Sequence, residues 1–169
     1  MKQIKLYNIF FPIWLLMFFP PVVLITIAGN FIIDSLVVTA CYYAFKLADM
    51  QIDLKTFYKK SIFKVLGYGF LADIAGAAIL FVLGIWGDSF GLPYELISGI
   101  NLDPFSHPLA VVTIIFSIMV SAVLIFVFNY KFTFSRYIKE RKVRLKTAVT
   151  IAILTMPWTF LLPTKWFYR

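Results

Sequence analysis

The sequence predicts an all-α fold, a polytopic transmembrane helical bundle of about five spans (four to six), forming a single integral membrane domain over residues 1–169. Three observations predict it. Hydrophobic residues make up 62% of the chain and charged residues 14%, at a mean hydropathy of +0.89, whereas a soluble domain carries about a quarter charged residues. The apolar residues gather in runs of about 16 to 24, long enough at roughly 1.5 Å per residue to cross a hydrocarbon core of about 30 Å. Of the 16 Lys and Arg, which against eight Asp and Glu leave a net charge of +8, all but Lys64 lie in the short connections and terminal segments outside these runs. That distribution belongs to membrane topology and offers no surface for nucleic acid. The alternating pattern of a membrane β-barrel is absent.

The first run, about 9–28, contains Pro12, Pro20 and Pro21, which remove backbone donors and predict a bent helix. Gly29 and Asn30 read as a turn, so the second run, about 31–45, is expected to close a tight helical hairpin with the first. A secretory signal is the competing reading of this start, with Lys2 and Lys5 before the apolar core and small residues at Ala28 and Gly29. A polar, lysine-bearing connection follows, in which Asp53 is placed to cap a helix leading into the third span, about 63–86. The loop 87–107 holds Asp88, Glu95 and Asp103 and no Lys or Arg; its "PYELISGI" stretch reads as a short interfacial helix. Ser106 as cap and Pro108 in the first turn start the fourth span, about 108–128. A fifth, about 147–162, follows the basic segment "SRYIKERKVRLK".

Counting cations orients the bundle. Residues 1–8, 46–64 and 129–146 carry 14 of the 16 Lys and Arg, and the opposite connections carry two. The basic side is expected to be cytoplasmic, with the N-terminus inside and the C-terminus outside. Trp14, Tyr42, Tyr43, Trp86, Trp158 and Trp166 fall near predicted span ends, where interfacial rings concentrate. The expected location is a cell membrane, specifically a bacterial cytoplasmic membrane.

One residue stands out chemically. Asp73, in "GFLADIAGAAIL", lies in the middle of the third span, where a lipid-facing carboxylate costs about 2.5 to 3.5 kcal/mol or more. It therefore should face protein or a water-filled cavity. Gly69, Gly76 and Ala77 share its helical face and read as a smooth helix-packing stripe. Thr113, Ser117 and Ser121 place hydroxyls every four residues on the fourth span, as Thr155 and Thr159 do on the fifth, and are candidate partners for Asp73. The functional reading is a proton, cation or substrate-contacting site; the structural alternative is an acid that pins helices together. Asp34 reads as a helix N-terminal carboxylate near water on the outer side, and the lone His107 as an outer-end residue near Asp103.

The cations Arg136, Lys139, Arg141, Lys142, Arg144 and Lys146 are expected to contact anionic lipid headgroups, at roughly 1 kcal/mol each near the surface. The alternative for this segment is topogenesis alone. A single cysteine, Cys41, excludes an internal disulfide, and the ligand spacing of a metal site is missing. Catalytic constellations and phosphate-binding loops are likewise missing, so an enzyme is disfavoured and no cofactor is expected.

"FVFNYKFTFSR", 126–136, resembles the span-ending Asn-x-x-aromatic-x-Phe pattern of the GtrA-like family of small four-span membrane proteins, with Asn129, Phe132 and Phe134 at the matching positions. The second copy of the pattern is absent near the C-terminus, where "PWTFLLPTKWF" stands. The resemblance implies translocation of a lipid-linked sugar. The residues themselves favour a transport-related protein, or membrane subunit of a larger transporter, with a polar intramembrane site at Asp73. The alternative is a non-transporting assembly, immunity or regulatory protein that packs its small-residue face against a membrane partner or a second copy.

Overall fold

A computed structural model describes residues 12–16 and 20–166, and these are helical with no strand among them. Six α-helices follow one another: α1 (Ile13–Leu16), α2 (Pro20–Ala44), α3 (Leu54–Trp86), α4 (Tyr94–Asn101), α5 (Pro108–Phe128) and α6 (Arg141–Thr155). Among the described residues three segments are long and apolar enough to cross a membrane: Val23–Ala44, Leu54–Trp86 and Pro108–Thr133.

The expected hairpin at Gly29 and Asn30 is not formed, because α2 runs unbroken through both. Glycine and asparagine weaken a helix without ending it, and here long apolar flanks carry the helix past them. The parts of the first expected run at residues 1–11 and 17–19 lie outside the described residues. Pro20 and Pro21 open α2, the position where a missing N–H costs nothing.

Helix α3 starts at Leu54, nine residues before the expected span, as one 33-residue helix. Its N-cap is Asp53, whose carboxylate accepts the Thr56 N–H at 2.8 Å. At about 1.5 Å per residue the helix is roughly 50 Å long, so its lysine-bearing first turns reach beyond a hydrocarbon core of about 30 Å. The short helix expected in the loop is α4, shifted by one residue. His107, not Ser106, occupies the N-cap position of α5; Ser106 instead donates its hydroxyl to the Asp103 carbonyl at 2.7 Å. Beyond Phe128 the chain widens into a π-helical turn, Asn129–Thr133.

Helix α6 stops at Thr155, and Pro157 prevents its continuation. Short 3-10 turns follow at Trp158–Leu161 and Thr164–Trp166. The uncharged part of α6 spans only Thr147 to Thr155, roughly 13 Å at helical rise, too short to cross the core. The fifth expected span is thus a half-length helix completed by irregular turns.

The tightest seam joins α3 to α5. Ser117 donates to the Gly76 carbonyl at 2.7 Å and Ser121 to the Ala72 carbonyl at 3.0 Å. A Cβ on Gly76 would collide with Ser121 Oγ and lie 3.1 Å from the Ser117 carbonyl oxygen, so only glycine permits this approach. The apolar core lies in two clusters. One gathers Val38, Phe57, Ile125, Phe134 and Ile151 around the π-helical turn; the other gathers Trp14, Leu80, Ile100, Ile114 and Phe160 under α4. In the second, the Trp14 indole N–H donates to the Ile100 carbonyl at 3.3 Å, and Lys165 forms an ion pair with Asp103. Trp14 and the C-terminal turns therefore sit at the α4 end, away from the basic connections.

Candidate functional site

Helices α2 and α3 and the end of α6 surround a cavity of about 580 Å³. It exists because three elements fail to fill the space. Helix α6 is cut short by Pro157, and Gly29 and Gly69 present no side chain. A Cβ added to either glycine would meet nothing within 4 Å, so neither glycine serves close packing.

Two carboxylates line this cavity, Asp73 from α3 and Asp34 from α2. They are 4% and 5% exposed, and each lies in the middle part of its helix, well away from either end. One oxygen of Asp73, Oδ1, is fully buried without a hydrogen-bond partner. The two acids line the same cavity, so their charges oppose each other when both are ionised. Among the described residues no basic side chain lines the cavity to neutralise them. Elsewhere the wall is mostly hydrocarbon and aromatic, with Ile33, Leu66, Phe70, Trp158 and Phe160, and its neutral polar groups come from Thr26, Asn30, Thr155 and Thr159.

Asp34 was assigned from sequence to a helix start near water. Continuity of α2 through Gly29 moves it to mid-helix, where it joins Asp73. The missed signal lies in that same continuity: Asn30 and Asp34 are four residues apart on one helical face, opposite Gly69 and Asp73.

The hydroxyls proposed to satisfy Asp73 are used differently. Ser117 and Ser121 bond the α3 backbone, and Thr113 donates to its own helix at Leu109. Thr155 reaches the cavity but donates to Ile151, and Thr159 lines it as well. The small-residue stripe divides in two. Gly76 and Ala77 are buried, Gly76 against α5, whereas Gly69 is cavity wall.

The basic segment lies far from this site. Arg136, Lys139, Arg141, Lys142 and Lys146 are exposed, while the Arg144 guanidinium lies 4.6 Å from the Tyr130 ring centre and donates to its hydroxyl. Lys60 and Lys64 approach the Tyr137 ring on the same end. In the segment resembling GtrA-like proteins, Asn129 and Phe134 are fully buried, Asn129 donates to Ile125, and Phe132 is exposed beside Tyr68. His107 Nδ1 is buried without a partner, while nearby Asp103 is taken by Lys165. Among the described residues no three His, Cys, Asp or Glu side chains gather as a metal site would require.

No family profile, curated protein or solved structure is similar to this chain.

Proposed function

We propose that the chain is a small multi-pass membrane protein of a transport process, acting alone or as a membrane subunit of a larger transporter, with Asp73 and Asp34 as its intramembrane polar site. The observation that carries this reading is the convergence of two buried carboxylates from different helices on one cavity, with no basic side chain among its described lining residues. An acid placed this deep costs several kcal/mol unless a proton or cation neutralises it, and such residues mark ion or substrate paths. A structural pin would use both oxygens; Asp73 leaves one without a partner.

In this reading the end bearing residues 46–64 and 129–146 faces the cytoplasm, resting on anionic headgroups through Arg136, Lys139, Arg141, Lys142 and Lys146. The alternative of a partner docking on the small-residue face loses support, because α5 of the same chain already occupies Gly76.

Proton flux into liposomes containing the purified full chain tests the reading, with trapped pyranine as reporter under imposed ion and solute gradients. Flux above that of empty liposomes should fall in Asp73→Asn while size-exclusion behaviour is retained. Flux above that of empty liposomes that is equal in rate and in pH dependence in the variant would overturn it.

A further inference from the structure

We infer that the cavity between α2, α3 and the end of α6 binds a monovalent organic cation, an amine or onium carried on a hydrocarbon or aromatic body. This rests on the reading of the cavity as a functional site and names the class of molecule it accepts. Three properties of the wall select that class.

The charge is one-sided. Among the described residues Asp34 and Asp73 are the only ionisable side chains lining the cavity; Asp73 is more than nine-tenths buried and its Oδ1 has no hydrogen-bond partner. An anion or zwitterion would need a donor cation that the lining lacks. A neutral molecule would leave both acids to be neutralised by protons, whereas a monovalent cation pairs with one carboxylate while the other holds a proton.

The size and the walls suit an organic body better than a bare metal ion. A hard cation such as calcium takes about six to eight oxygen ligands at close range. Here two carboxylates face a space of about 580 Å³ walled mainly by Ile33, Leu66, Phe70, Trp158 and Phe160. That volume is within the range of about 300 to 1,000 Å³ that encloses a drug-sized molecule. The aromatic rings add a third property, since their faces attract cations within roughly 6 Å of the ring centre. An ammonium or phosphonium centre beside the carboxylates, with its apolar body against Phe70 and Trp158, uses both the acids and the apolar wall.

Binding of radiolabelled tetraphenylphosphonium to the purified full chain in detergent, measured by scintillation proximity against empty micelles, tests the assignment. Tetraphenylborate has nearly the same shape with the opposite charge, and triphenylphosphine oxide is neutral; both serve as competitors. Saturable binding is expected, at least tenfold weaker in Asp34→Asn and in Asp73→Asn, and a few-fold weaker in Trp158→Leu, with little competition from the anion or the neutral compound. Should either Asn variant misfold, Gly69→Leu blocks the same space without touching a carboxylate and is expected to abolish binding. Three outcomes overturn the proposal: no saturable binding, binding that ignores all of these variants, or competition by tetraphenylborate or triphenylphosphine oxide equal to that of unlabelled cation. Any of these, with proton flux still lost in Asp73→Asn, removes the organic cation and leaves the transport reading. Unchanged flux in Asp73→Asn removes the transport reading whatever the binding result.

Discussion

Two glycines on one helix do opposite work, and the difference can be measured. At Gly69 a methyl group meets open space, so Gly69→Ala is expected to stabilise α3 by about 0.5 to 1 kcal/mol through reduced backbone freedom. At Gly76 a larger side chain collides with Ser121, so Gly76→Val is expected to destabilise by about 1 to 3 kcal/mol. Thermal unfolding in detergent reads both; a destabilised Gly69→Ala would mean that Gly69 packs against something and is not a cavity wall. Asp53 offers a pH test outside the membrane segments. The Thr56 backbone N–H, with a smaller contribution from Lys55, holds the Asp53 carboxyl below its ordinary range. Its pKa is lower folded than unfolded, so its stabilisation is present above the ordinary carboxylate value near ~4 and is lost as pH falls through the folded value. The melting difference between wild type and Asp53→Ala should therefore shrink towards pH 2; a difference independent of pH would show that the ionised cap contributes nothing.

At the scale of elements, what was legible depended on whether a boundary is written in local chemistry. Asp53 as cap, Pro108 in a first turn and the short loop helix are local signals, and each is found where its chemistry placed it, within a residue. Gly29 and Asn30 carry the same kind of signal and are overridden, because the surrounding apolar residues gain more from a continuous helix than from a turn. One misread turn displaced Asp34 from mid-helix to a helix start and so hid half of the candidate site. Asp73 was legible because a single acid in a long apolar run has few explanations. Its hydroxyl partners were not: spacing puts Ser117 and Ser121 on one face of α5, but only packing shows that this face meets the α3 backbone and not the carboxylate. Pro157 was visible in the sequence, yet its effect on the cavity depends on what stands opposite the truncated end of α6.

Over the whole molecule, the asymmetry of charge makes an orientation testable. In a Cys41→Ala background, Ser135→Cys at the basic end and Ser89→Cys at the α4 end should label oppositely in intact cells with a membrane-impermeant maleimide, Ser89→Cys being the reactive one. Labelling of Ser135→Cys from outside would invert the proposed topology. The hydroxyl bonds across the α3 and α5 seam carry a consequence for any such carrier. A site that opens first to one side and then to the other must have a seam that parts, and a backbone held by Ser117 and Ser121 at a glycine contact is a poor place for it. Helices α3 and α5 would then move as one body. The rocking partner would be α2, which carries Asp34, so each swing of that helix would change the separation of the two acids and with it the grip on whatever lies between them.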